Sequence, residues 1–115
     1  MMDNDSSVCA RLAMMLDENP SCRVLILGRY MPPVRSAYNT VRHRAGKARL
    51  RQTLAGSNHL RSSNDAGGRL EAYAPIGLAR GLKVDAVLYV GAGDEHTSLV
   101  LEGFAAGGAI VYHIL

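Results

Sequence analysis

The sequence predicts a single domain of the α/β class, with three layers and a mainly parallel sheet. Three observations lead to this fold class. The chain has 115 residues, which is the length of one ordinary domain. Residues 23–28 (RVLILG) and 84–91 (VDAVLYVG) are short, unbroken apolar runs, typical of strands buried on both faces of a parallel sheet. A helical pattern precedes the first run, so the chain begins with the alternation of helix and strand that α/β proteins show.

The first half of the chain is predicted to form a helix, a strand and a second helix. Asp5 or Ser6 caps the first helix, whose apolar residues recur every three to four positions until Pro20 ends it. The strand at residues 23–28 follows directly. Residues 34–55 are basic with scattered apolar side chains, and we interpret them as an imperfect helix.

The second half begins with a segment that is predicted to be flexible. Residues 56–69 are rich in Gly, Ser and Asn, which is typical of a surface connection or a partly disordered stretch. A short strand is expected within residues 69–76, followed by the buried strand at 84–91. Residues 97–106 then form a helix, and residues 109–115 form a last apolar strand.

The composition bounds the class of protein. None of the apolar runs approaches the roughly 18 residues that a membrane-spanning helix needs. The N-terminal segment opens with acidic rather than basic residues and has no continuous apolar stretch, so we expect a cytoplasmic protein without a secretory signal. Cys9 and Cys22 are too few for a disulfide framework, and we expect reduced, partly buried thiols.

Positive charge is concentrated in the first half of the chain. Between Asn19 and Asn64 the sequence has nine Lys and Arg residues and no Asp or Glu. Such a block repels itself unless an anion is near, so phosphate is a natural partner. A solvated helix face or a mobile basic loop is the alternative interpretation.

Two junctions between a strand and a loop place polar groups where α/β proteins bind ligands. Arg29 follows the first buried strand, and the loop from Gly91 to Gly93 follows the second. Ligands of open α/β sheets lie beyond the carboxyl ends of the strands, so both are candidates. The sequence contains no GxxxxGK[ST] motif, which excludes a self-sufficient P-loop ATPase. Asp94 to His96 are interpreted as exposed loop charges rather than a metal site.

Two motifs occur in a fixed order. LGRY at residues 27–30 ends the first buried strand, and ARGLKVDAV at residues 79–87 leads into the second. With their surroundings, residues 12–30 and 75–91, they resemble motifs IV and V of the second RecA-like lobe of UvrD-like superfamily 1 DNA helicases. The resemblance implies a RecA-like or Rossmann-like fragment that supplies one of two lobes clamping ATP. Lys83 stands where that family has a glutamate.

The resemblance also implies roles for individual residues. Arg29 would be the catalytic arginine that approaches the nucleotide's phosphates, a role suited to its planar donor fork. Arg80 and Gly81 would bind nucleotide at the cleft between the lobes. ATP and Mg²⁺ are the implied cofactors, and both require a P-loop-containing first lobe or a partner chain.

Single-stranded DNA is the second implied partner. The basic residues after the first strand suit contacts with its phosphate backbone. They are Arg42, Arg44, Lys47, Arg49 and Arg51.

Two further interpretations of the sequence are alternatives to a helicase lobe. Residues 86–95 (AVLYVGAGDE) also resemble the first motif of S-adenosylmethionine-dependent methyltransferases, although His113 occupies the place of the acidic residue that family uses for the ribose. The other reading is a non-catalytic α/β interaction module or a truncated remnant. Salt-dependent binding of single-stranded DNA, saturable binding of S-adenosylmethionine, or neither would distinguish the three.

Overall fold

The computed structural model describes residues 4–75 and 83–115. These two ranges contain three helices and six strands. They are α1 (Asn4–Glu18), β1 (Arg23–Gly28), α2 (Met31–Arg44), β2 (Arg51–Ala55), β3 (His59–Ser63), β4 (Arg69–Tyr73), β5 (Ala86–Val90), α3 (Glu95–Ala106) and β6 (Ile110–Ile114).

The strands form one sheet in the order β2-β3-β4-β1-β5-β6. β4, β1, β5 and β6 are parallel to one another. β2 and β3 extend the sheet beyond β4 as antiparallel strands. The predicted, mainly parallel sheet is therefore confirmed for β4, β1, β5 and β6, and the antiparallel pair is an addition that the sequence did not predict.

Helices cover both faces of this sheet. α1 and α2 pack on one face, where Leu12 and Tyr38 join Ile26 in the larger core. On the other face, side chains of α3 pack over Leu25 and Leu27. Because neighbouring residues of β1 point to opposite faces and are buried on both, β1 is an interior strand of a three-layer α/β domain, as predicted.

Residues 34–55 do not form one helix, so that prediction is wrong for its second part. α2 ends at Arg44, and Arg51–Ala55 forms β2. β2 is one of the two edge strands of the sheet, and all five of its residues are exposed. Without a buried face, β2 has no apolar alternation that would distinguish it from a helix in the sequence.

β3 lies within residues 56–69, where the sequence predicts a surface connection. Its alternate residues Leu60 and Ser62 are buried. The Ser62 hydroxyl is hydrogen-bonded to the buried Tyr38 hydroxyl of α2. Because the polar Ser62 takes an inward position, the sequence of β3 lacks the alternation of apolar and polar residues that is typical of a strand. The flexibility of this segment stays a prediction.

The other predicted elements are found in the structure. β4, β5 and β6 lie within the three predicted strand segments, and α3 begins at Glu95, two residues before the predicted start. Within the described ranges, the longest apolar helical stretch falls short of what a membrane span requires.

We expect the central strand to dominate stability. Leu25 of β1 is fully buried, whereas Leu99 of α3 has 64% of its surface exposed. Leu25→Ala should lower the free energy of unfolding by about 2–5 kcal/mol, because it removes apolar contacts and leaves a cavity. The matched Leu99→Ala change should stay within about 0.5 kcal/mol. Urea unfolding followed by circular dichroism measures both, and equal losses would contradict a core centred on β1.

Candidate functional site

The parallel strands give the sheet two chemically different edges. The carboxyl edge is where β4, β1, β5 and β6 end, and the amino edge is where they begin. Register identifies the residues at each: Tyr73, Leu27 and Tyr89 are side by side near the carboxyl edge, whereas Arg69 and Arg23 are partners at the amino edge. Each candidate residue can be placed at one of these edges.

Arg29 lies at the carboxyl edge, directly after β1, and is exposed. The preceding Gly28 explains how the chain leaves the sheet there. A Cβ atom on Gly28 would lie 2.4 Å from Val34 Cγ2 and 2.9 Å from the Val90 carbonyl oxygen. Because no larger residue fits between α2 and β5, the point at which Arg29 leaves the sheet is fixed by packing.

The loop from Gly91 to Gly93 lies at the same edge, as predicted. Gly91 has a φ of 115°, a backbone conformation that glycine adopts readily. The His113 ring nitrogen Nε2 donates to the Gly91 carbonyl oxygen at 2.6 Å. The Tyr89 hydroxyl donates to the carbonyl oxygen of Ala92 at 3.3 Å. Side chains of β5 and β6 therefore hold the loop in place.

Asp94 caps α3 and so has a structural role at this edge. Its Oδ1 atom accepts hydrogen bonds from the Thr97 backbone N–H at 2.9 Å and from the Thr97 hydroxyl at 3.0 Å. These bonds lower the pKa of Asp94, and the positive charges of Arg29 and His96 add to the effect. Arg29 is thus close enough to Asp94, the residue after the glycine loop, to contribute to lowering its pKa.

The start of α2 offers few backbone donors to an anion. The first turn of a helix normally presents free N–H groups. In α2 this turn contains Pro32 and Pro33, which have no N–H, and the capping residue Tyr30 makes no side-chain cap. Recognition of a phosphate beside β1 would therefore depend mainly on the guanidinium of Arg29.

The predicted nucleic-acid residues lie towards the opposite edge. Arg42 and Arg44 occupy the last turn of α2, where positive charge is favourable because of the helix dipole. Arg51 begins β2 and forms an exposed ion pair with Asp65 at 3.8 Å. Exposed pairs of this kind contribute little to stability. The structure therefore separates these residues from Arg29 by the length of the strands.

Lys47, Arg49 and Arg51 border one open cavity of about 700 Å³ near the amino edge. Arg49 has a φ of 55°, an uncommon and strained conformation for a residue with a side chain. Three of the five predicted nucleic-acid residues are thus brought together at one cavity.

Arg80 and Gly81 of the predicted nucleotide turn lie outside the described residues. Lys83, which follows them, lies before β5 and therefore at the amino edge. It borders a cavity of about 250 Å³ together with Arg23 and Phe104. Lys83 is thus at the other end of the strands from Arg29.

Asn64 is a structural residue that sequence reasoning missed. Its side-chain nitrogen donates to the carbonyl oxygens of Pro20 and Ala48, each at 2.8 Å. Its side-chain oxygen accepts from the backbone N–H of Ala66 at 3.0 Å and of Gly68 at 2.8 Å. One amide therefore joins three connections at the amino edge. The Asn and Gly content of the segment indicated a turn but not this long-range role.

The structure as a whole superposes on ATPase domains of phage terminases. The ATPase domain of the large terminase from a Thermus phage gives a TM-score of 0.62 over 96% of this chain and 54% of that chain, at 12% identity. The fold is RecA-like. A large terminase from a thermophilic bacteriophage gives a TM-score of 0.58 over 92% of this chain and 28% of that one, at 13% identity. This RecA-like chain thus spans about half of the first neighbour and about a quarter of the second.

No protein-family model and no curated protein matches the sequence. The structural comparison shows a RecA-like fold and does not single out the UvrD-like helicases. Among residues 4–75 and 83–115, no group of three or more His, Cys, Asp or Glu side chains is arranged to hold a metal ion.

The cap of α3 gives a prediction about pH. Because the pKa of Asp94 is lowered in the folded state, its stabilisation is present above the unfolded pKa of about 3.9 and is lost as pH falls through the lower folded pKa. Asp94→Ala should lower the urea midpoint at neutral pH and have little effect near pH 2. Asp94→Asn, which still caps, should stay close to the parent at neutral pH.

Urea midpoints measured between pH 7 and pH 2 test this, with Glu95→Gln as the control for loss of one neighbouring charge. An Asp94→Ala deficit that does not change with pH would show that the ionised cap is unimportant.

Proposed function

We propose that the chain is a nucleotide-binding RecA-like unit of an ATP-driven nucleic-acid motor, completed by a P-loop-bearing partner lobe. The observation that carries the proposal is the position of Arg29 at the carboxyl edge, beside the Gly91–Gly93 loop. Ligands of open α/β sheets bind at this edge. A nucleotide is the ligand that we propose for this edge, and the structural likeness to the ATPase domain of a phage large terminase supports that choice.

Arg29 is suited to phosphate by its chemistry and by its surroundings. Its planar guanidinium carries five N–H donors in a fork that matches phosphate oxygens. The residue is exposed, so it can reach a nucleotide that another lobe presents. An arginine supplied in this way stabilises the charge that develops during phosphoryl transfer. In this proposal Arg29 is the catalytic residue that this chain contributes.

The partner lobe has to supply the P-loop and the Mg²⁺ ligands. The sequence has no P-loop motif to cradle the phosphates. Mg²⁺ in such sites is bound by one or two carboxylates together with the nucleotide phosphates. Asp94, the carboxylate nearest the loop, is engaged by Thr97. We therefore assign the binding of Mg²⁺ to ATP and the partner lobe.

The kind of motor is the finer part of the proposal. The motifs at residues 27–30 and 79–87 favour the second lobe of a UvrD-like DNA helicase. The basic residues from Arg42 to Arg51 favour contacts with single-stranded DNA. A methyltransferase is disfavoured. His113 stands where that family has an acidic ligand for the ribose, and its ring nitrogen donates to the Gly91 carbonyl oxygen of the glycine loop.

Titration of the isolated chain with Mg²⁺ and ATP tests the role of Arg29. We expect weak binding, with a Kd of the order of 1 mM, seen as changes in amide NMR shifts at residues 28–30 and 91–97. Arg29→Ala should weaken it about tenfold or more, because a charge-assisted contact is lost. Arg11→Ala removes an exposed arginine of α1 and should have no effect.

Adenosine without phosphates serves as the ligand control and should not shift these amides. Unchanged ATP affinity in Arg29→Ala would refute the assignment. Parent and variants that all ignore ATP would favour a non-catalytic interaction module.

A further inference from the structure

We propose that the amino edge of the sheet is a preformed groove for the phosphate backbone of single-stranded nucleic acid, and that Arg23 and Arg69 are its central contacts. The inference rests on the proposed function for its ligand class. It adds two residues that lie outside the basic block of residues 42–51 and a definite place for the strand to bind.

Strand register brings these arginines into one row. Arg23 of β1 is the partner of Arg69 of β4, which is the partner of Ser63 of β3, and Ser63 is the partner of Arg51 of β2. Partner residues on neighbouring strands point to the same face and are about 5 Å apart. The row therefore presents three guanidiniums and a hydroxyl across the beginning of the parallel sheet.

A groove lies along this row. Arg23, Arg69 and Ser63 border an open cavity of about 630 Å³. Asn64 borders both this cavity and the neighbouring one of about 700 Å³ that contains Lys47, Arg49 and Arg51. The two cavities are therefore adjacent, and we treat them as one open groove bordered by five basic side chains.

Three acidic side chains pair with arginines of the groove; Asp85 and Asp65 border it, whereas Glu71 is buried beside it. Asp85 lies 3.8 Å from Arg23, Glu71 lies 3.5 Å from Arg69, and Asp65 lies 3.8 Å from Arg51. These long contacts engage one nitrogen of each guanidinium and leave its other N–H donors for a ligand. Five positive charges against three negative ones keep the groove basic.

The walls of the groove are held in place before any ligand binds. Asn64 joins the connections that contain Pro20, Ala48 and Gly68 by four hydrogen bonds. A Cβ atom on Gly68 would lie 1.9 Å from the Pro20 carbonyl oxygen, so these connections pack against each other. A preformed site spends little free energy on ordering when it binds.

Nucleic acid is favoured over a small anion by the extent of the groove. One phosphate would engage only one or two of the five basic side chains. A single strand carries regularly spaced phosphates, and a charged groove of this kind follows its backbone without reading the bases. Binding should therefore depend steeply on salt.

The test compares two double variants of the full chain that lose the same charge. Arg23→Gln with Arg69→Gln changes the groove, and Arg11→Gln with Arg35→Gln changes exposed helix positions. Fluorescence anisotropy with a labelled oligothymidine of about 20 nucleotides gives the affinity at several NaCl concentrations. Each lost contact should reduce the slope of log K against log salt by about 0.7.

We expect the groove variant to lose about 1.4 from the salt slope and to bind about tenfold or more weakly at low salt, whereas the control keeps the parent slope. Should the groove variant not fold by circular dichroism, Arg49→Gln with Arg51→Gln alters exposed residues of the same groove and should show the same loss. Equal slopes in groove and control variants would overturn the proposal.

Two competitors identify the ligand class. Inorganic phosphate at matched ionic strength should displace the oligonucleotide no better than NaCl, and equal displacement by polyglutamate would indicate an acidic protein partner instead. The groove variant should keep the NMR response to ATP, and Arg29→Ala should keep DNA binding. Failure of the groove and failure of the nucleotide proposal are thus separate results.

Discussion

The parallel pairing of β1 with both β4 and β5 is the constraint on which the rest of this structure depends. At one end it is fixed by Asp85, whose side chain accepts from the Arg23 backbone N–H at 2.8 Å and whose own N–H donates to the Arg23 carbonyl at 2.8 Å. A shift of one residue would turn the buried Leu25 and Leu27 towards the opposite face. The same pairing decides which charged residues share an edge.

Sequence reasoning succeeded where a pattern is local and apolar. β1 and β5 are continuous apolar runs, and Arg29 follows one of them, so strand and candidate residue were predicted together. β2 was missed because none of its residues is buried. β3 was missed because one of its buried residues is Ser62, whose hydroxyl is hydrogen-bonded to Tyr38 of α2. Tyr38 and Ser62 are 24 residues apart, so a local sequence pattern does not reveal their contact.

The proposed groove at the amino edge could not be predicted from the sequence, for a different reason. Arg23 and Arg69 are distant in sequence and become neighbours only because β4 lies beside β1 in the strand order. At the start of a strand each looks like an ordinary surface arginine. The basic block from Arg42 to Arg51 was recognised because its charges are close in sequence. The strand order of the sheet places this block next to Arg23 and Arg69, and the sequence does not reveal that order.

The two edges differ in how complete they are. At the carboxyl edge Asp94 is engaged as a helix cap, and Pro32 and Pro33 remove backbone donors, so a phosphate bound there would depend mainly on Arg29. The amino edge is built entirely from residues of the described chain. These residues supply the arginines, line the cavities and include Asn64, whose hydrogen bonds join the connections there. Six residues of β1, at about 3.3 Å each, put roughly 20 Å between the edges. Binding of a nucleic-acid backbone would then be a property of this chain alone, whereas handling of a nucleotide would be a property of its assembly with a partner lobe.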